Sequence, residues 1–169
     1  MDLRLRPLRT ADEAQARAAQ AELAPEGFRF LLDGYADGEP WEQYLVRVER
    51  ARGADGLAPG MVPATLLVAE VAGELVGRVS IRHELNEWLL RVGGHVGYGV
   101  RPQHRRRGYA TEMLRQSLII ARSLGVDPML VTCDEDNVGS QTVIERCGGV
   151  LEDIVDVPGE PRKRRYWIL

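Results

Sequence analysis

Between Val100 and Gly125 the sequence VRPQHRRRGYATEMLRQSLIIARSLG sets three consecutive cations, Arg105, Arg106 and Arg107, against a glycine at the start of an apolar-periodic helix. The first amides of a helix have no intrahelical partner and carry partial positive charge, so cations there are unfavourable unless an anion arrives. Phosphate binding suits this arrangement: the amides converge, Gly108 lets the backbone approach closely, and neighbouring guanidinium groups donate charge-assisted hydrogen bonds. Two familiar phosphate loops are excluded by residue identity. GxxxxGK[ST] is absent, and GxGxxG fails because Gly97 and Gly99 are followed by Pro102 where the third glycine belongs.

The surrounding segments must present that turn. HVGYGV reads as a strand leading into it, and Ala110, Met113, Leu114, Leu118, Ala121 and Leu124 form one helical face after it, stopped by Gly125. Upstream, LRLRPLR alternates as a strand ending at Pro7, and TADE predicts a capping box in which Thr10 and Glu13 satisfy each other's amides, opening a helix over Ala11 to Leu23. Trp41, Tyr44, Leu45, Val48 and Ala51 fall on one face of a second helix. GADGLAPGMVP reads as a loop, and TLLVAEV and LVGRVSIRHEL, joined by AGE, as a hairpin. MLVTC reads as a buried strand, Asp136 or Asn137 caps the helix VGSQTVIERC, and VLEDIVDV, PGE and RRYWIL close the chain as a second hairpin. The order is β, α, α, an antiparallel run, β-α-β-α, then β-β, without internal repeats.

The length of 169 residues predicts a single domain over 1–169. The net charge of −3 makes the arginine cluster local, so nucleic acid is not the expected partner. The basic RKRR at 162–165 precedes a closing strand, where charge discourages edge pairing between chains. No apolar run is long enough for a membrane span and MDLRLRPLRT has no apolar export core, so a cytoplasmic location is expected. Cys133 and Cys147 lack metal or disulfide spacing and predict reduced, buried thiols; no metal site is expected.

Arg105, Gly108 and Ala110 spell R-x-x-G-x-A after Val100 and Pro102, and this closely resembles the acetyl-CoA-binding motif of the GNAT superfamily of N-acetyltransferases. The resemblance extends along nearly the whole chain, with DEDNVGSQTVIERCGG where that family has its asparagine-led helix. It implies an α/β (α+β) fold with a mostly antiparallel central sheet, a splayed pair of parallel strands and flanking helices. It implies acetyl-CoA as cosubstrate, with the pantetheine arm along the backbone of Tyr98, Gly99 and Val100. The diphosphate falls to the amides from Arg105 through Arg106, Arg107, Gly108, Tyr109 and Ala110 to Thr111, and Asn137 and Ser140 lie near the thioester. Many members carry a tyrosine seven residues after the asparagine to protonate the departing thiolate; here that position is Ile144. Cys133, Tyr98 or solvent must then supply the proton. A non-catalytic acyl-CoA sensor is the alternative that Ile144 allows.

Acetyl transfer needs a neutral amine, placed beside the thioester and deprotonated by a base. His95, at the start of the strand entering the cofactor loop, and Glu84, ending SIRHE, are the candidates. His83 and Glu84 alternate in direction along a regular strand, so only one of them faces the cleft. The expected acceptor is a small-molecule or peptide amine. Glu84, Glu87 and DEDN favour a cationic one. A hydrophobic strand near the C-terminus offers a surface for a homodimer.

Overall fold

A computed structural model describes residues 2–169. The opening alternation becomes β1 (Leu3–Arg6), with Leu3 buried. Its last side chain, Arg6, is also buried, because it donates to both oxygens of Asp12 at 2.7 and 2.8 Å and pairs with Glu70. This changes the expected start of the first helix. Asp12, not Thr10, accepts the Arg9 amide at 2.7 Å, and a short 3-10 turn (Thr10–Asp12) leads into α1 (Glu13–Leu23). The Arg6 guanidinium fixes the Asp12 carboxylate where it can cap, an advantage Thr10 lacks. α2 (Trp41–Arg50) follows its apolar periodicity, burying Trp41, Tyr44 and Val48. Each such large side chain contributes ~1.5–3 kcal/mol through burial.

β2 (Ala64–Val71) and β3 (Glu74–Arg82) form the predicted hairpin, and β4 (Val96–Val100) adds to β3. The order β1-β2-β3-β4 is antiparallel throughout. Period-two alternation sends Leu66 and Val68 to a cluster with Ala16, Leu23, Phe30 and Tyr44, and Leu67 to a second cluster with Met113, Leu114 and Ile144. α1 and α2 therefore cover one face. α3 (Tyr109–Ser123) and α4 (Val138–Arg146) cover the other.

β5 (Met129–Asp134), β6 (Val150–Val155) and β7 (Lys163–Ile168) make a second antiparallel sheet in the order β5-β7-β6. No ladder joins β4 to β5 among the described residues. The two sheets meet at one joint, where the His95 amide donates to the Leu130 carbonyl at 2.7 Å and the Leu130 amide donates to His95 Nδ1 at 2.9 Å. This mixed architecture of antiparallel sheets flanked by helices, open between β4 and β5, is the one the sequence resemblance implies. Both cysteines are free thiols, Cys133 buried and Cys147 half-buried.

Candidate active site

The loop between β4 and α3 is built around two left-handed residues, Arg106 at φ 64° and Gly108 at φ 79°. Alternating right- and left-handed backbone turns successive amides toward one point, forming an anion nest. From Arg106 to Thr111 no amide donates to a protein group among the described residues; the next, from Glu112, reaches the Gly108 carbonyl at 3.2 Å. Arg106 and Arg107 are exposed beside these donors. Arg105 differs from its two neighbours. Its amide turns back to the Pro102 carbonyl at 3.3 Å, Nε donates to the Val100 carbonyl at 3.1 Å, and Nη2 reaches Glu26 at 2.6 Å. The converging donors thus begin at Arg106, one residue later than the sequence expectation. Arg105 buttresses the turn from behind.

Across the opening between β4 and β5, the Tyr98 hydroxyl and Ser140 Oγ lie 2.7 Å apart, the one on β4 and the other on α4. Burial raises the Tyr98 phenol above its ordinary range, so it is a protonated donor at neutral pH. Asn137 caps α4, its side-chain oxygen accepting the Ser140 amide at 3.0 Å, which leaves its carboxamide N–H groups for other partners. Ile144 is fully buried in the core under α3 and α4. Burial pushes the Cys133 thiol up to about 11.

His95 sits at the sheet joint and is 8 % exposed. A backbone amide can only donate, so the Leu130 bond fixes Nδ1 as acceptor and the ring proton on Nε2. The ring has no lone pair left to receive a proton from an amine. Burial, then the charge of Arg82, holds its pKa below the ordinary histidine range. Glu84 lies exposed just past the end of β3, and His83 Nε2 is 2.8 Å from Thr65 Oγ1. The structure does not bring His95 and Glu84 into one hydrogen-bonded unit.

The α1/α2 face of β4 carries groups the sequence reading missed. β4 pairs with β3 so that Ser80 opposes Gly97 and Arg78 opposes Gly99. Arg78 and Arg82, two residues to either side of Ser80, therefore flank Gly97 on the same face. Arg78 is buried, donates from Nη1 to the Gly97 carbonyl at 3.3 Å and to the Arg29 carbonyl from Nε and Nη2, and lies 4.2 Å over the Phe28 ring. Arg82 Nη1 donates to the Gly93 and Gly94 carbonyls, each at 3.0 Å. Phe28 rests directly on Gly99, where any side chain would overlap its ring. The signal was present as RVSIR, whose period of two puts both arginines on one face; only the β3–β4 register shows what they flank.

The chain matches the model of the acetyltransferase (GNAT) domain over residues 2–150. It is similar in structure to RimJ of Mycobacterium smegmatis, solved with CoA-disulfide, at a TM-score of 0.69 and 21% identity over 98% of this chain and 81% of that one. A GNAT-family acetyltransferase from Streptococcus pneumoniae superposes at 0.66 and 16% identity, covering 98% of each chain. The putative acetyltransferase yncA of Salmonella typhimurium, solved with its cofactor acetyl-CoA, does so at 0.63 and 14% identity over 99% of this chain and 94% of that one. No curated protein matches the sequence. The chain belongs to the GNAT family and is an acyl-CoA-dependent N-acetyltransferase. No described helix is long and apolar enough to cross a membrane.

Proposed function

We propose that this chain transfers an acetyl group from acetyl-CoA to a primary amine of a small molecule or peptide. The observation that carries the reading is the run of unpartnered amides from Arg106 to Thr111, opening beside the unladdered edges of β4 and β5. The nest takes the diphosphate, with Arg106 and Arg107 completing neutralisation. The pantetheine arm pairs with the backbone of Tyr98, Gly99 and Val100 and so occupies the opening between the sheets. The amine nitrogen attacks the thioester carbonyl carbon, the carbon–sulfur bond breaks, and the thiolate leaves toward α4. The Tyr98 hydroxyl, held by Ser140, is the proton donor for that sulfur in place of the side chain that Ile144 cannot supply. The proton lost by the ammonium passes to Glu84 through solvent at the exposed end of β3. His95 is assigned to the joint between the sheets, not to proton transfer. A second copy would pair along β6, the outer strand of its sheet, where Val150 and Leu151 are exposed.

Calorimetry with acetyl-CoA tests the cofactor site. Micromolar binding by the wild type, lost in folded Gly108→Glu, is the expected result. Equal affinity in both would remove the nest from this role. Tyr98→Phe is expected to slow thiol release at least tenfold with acetyl-CoA affinity retained; an unchanged rate would leave the departing sulfur to solvent.

A further inference from the structure

Two of the buried arginines are neutralised within the fold: Arg6 by Asp12 and Glu70, and Arg101 by Glu22 at 2.6 Å. Arg78 and Arg82 are not. Neither has a carboxylate oxygen within 4 Å among the described residues, although Arg78 is buried, Arg82 is half-buried and the two are near enough to repel each other. Asp33 acts on Arg78 through its charge without forming an ion pair, and burial raises its carboxyl above the ordinary range. A guanidinium remains charged under all ordinary conditions, so the pair is a standing positive charge in a poorly hydrated place.

Its location is specific. Gly97 leaves the strand bare between the two guanidinium groups: a Cβ built on it would lie 3.5 Å from Arg82 Nη2, 3.7 Å from Arg78 Nη1 and 3.7 Å from Arg82 Nη1. Three guanidinium nitrogens thus border the shallow hollow that the missing side chain leaves on the half-exposed middle of β4. Arg82 Nη2 donates to no protein group among the described residues, whereas Nη1 is held by two carbonyls that fix the plane of the guanidinium. Phe28, under Arg78 and on Gly99, walls the hollow toward the C-terminal end of β4.

We propose that this hollow is an anion subsite of the acceptor site, and that the acceptor is an amine bearing a carboxylate, as an amino acid or its derivative does. The proposal rests on the reading that the thioester is carried along β4, which sets the hollow beside the reacting carbon. An anion there would bridge Arg82 Nη2 and Arg78 Nη1, and the amine of the same molecule would be turned toward the thioester. It reverses the expectation of a cationic acceptor drawn from Glu84, Glu87 and Asp134 to Asp136: Asp134 and Glu135 are already paired with Lys163 and Arg162, and none of these acids pairs with Arg78 or Arg82.

The test uses a panel of amino acids, each with its matched carboxamide, as acceptors for the wild type, Arg82→Met and Gly97→Ala. The alanine methyl meets both guanidinium groups at ordinary contact distances, so this variant is expected to fold, and it stands where an anion would approach their nitrogens. The wild type is expected to use its best carboxylate acceptor at least tenfold better than the carboxamide, in kcat/KM. Both variants are expected to erase that preference through a rise in KM for the acid. Equal use of acid and amide by the wild type overturns the proposal. So does a loss in kcat of the same size for both acceptor types in Arg82→Met, which would assign the pair to the thioester oxyanion. Binding of the same amino acids to the wild-type complex with CoA, by calorimetry, covers acceptors that are bound but turned over slowly; neither turnover nor millimolar binding of any carboxylate overturns it as well. Acetyl-CoA affinity in the same samples separates the two readings, since its absence in the wild type sinks the cofactor assignment and its presence without carboxylate preference sinks only this one.

Discussion

The molecule gathers positive charge in two places and handles it in opposite ways. At the mouth of α3 the donors are mainly backbone amides, organised by the left-handed residues Arg106 and Gly108, with exposed side chains adding charge that water and salt also reach. On the α1/α2 face of β4 the donors are side chains, buried or nearly so and pinned by carbonyl groups. The first kind of site tolerates a large, flexible polyanion and costs little when empty. The second costs desolvation at all times, and it makes sense when a small anion must be placed within an ångström or so of a reacting atom.

The sharpest break in this comparison comes from replacing buried arginines. Arg6→Met orphans Asp12 and a partly covered Glu70 and is expected to destabilise the fold by ~3–5 kcal/mol in urea unfolding. Arg82→Met orphans no acid and relieves a desolvated charge, so its change in stability is expected to stay within ~1 kcal/mol despite two lost hydrogen bonds. If both variants lose stability alike, Arg82 is an internal tie and not an unneutralised donor.

Gly108→Glu is next in size. A carboxylate at the nest is expected to weaken acetyl-CoA binding at least a hundredfold, with circular dichroism confirming the fold. Removing Arg106 and Arg107 together, both to Ala, is expected to raise the dissociation constant roughly three- to tenfold at low salt and less above 0.5 M, because exposed charges are screened. Arg105→Ala, which frees Glu26 and the Val100 carbonyl behind the turn but removes no nest amide, is expected to change that constant less than the loss of its two neighbours does. A larger effect from Arg105 than from its two neighbours would invert the assignment made from their partners.

The joint between the sheets gives a pH signature. His95 has a folded-state pKa below its unfolded value, so below about pH 6.5 the unfolded chain binds the proton more readily and stability falls as pH drops toward the folded pKa. The slope from this one proton cannot exceed ~1.4 kcal/mol per pH unit. Asn at position 95 can offer an oxygen to the Leu130 amide without titrating, and His95→Asn is expected to remove this part of the acid sensitivity. Asp12 adds a second window at lower pH. Burial alone would raise its pKa, but hydrogen bonds from Arg6 and the Arg9 amide outweigh burial and lower it, so its contribution is present above about pH 4 and lost on further acidification.

How much of this was legible in the sequence depends on whether the signal is contiguous. The cofactor loop lies in one stretch, and its glycine, arginines and following helix announce it. The order of strands and helices is equally local, since each element carries its own periodicity. The joint at His95 was not legible: a histidine ahead of a strand reads as a base until the Leu130 amide, 35 residues away, is found on its nitrogen. The same holds for Asp12, whose capping role depends on Arg6, and for the hollow at Gly97, which exists only where two strands pair in one register. Residues whose meaning is set by tertiary neighbours are silent in a linear reading, even when each is individually conspicuous.

With its thiol at about 11, Cys133 exists as thiolate to only about one part in ten thousand at neutral pH, and Cys147 is shifted in the same direction by burial. A chromogenic disulfide reagent added to the folded protein should therefore react mainly with whatever sulfhydryl is released into solution. Progress of the reaction can be followed in real time against a quiet background, and the product is unlike its host in being quick to exchange.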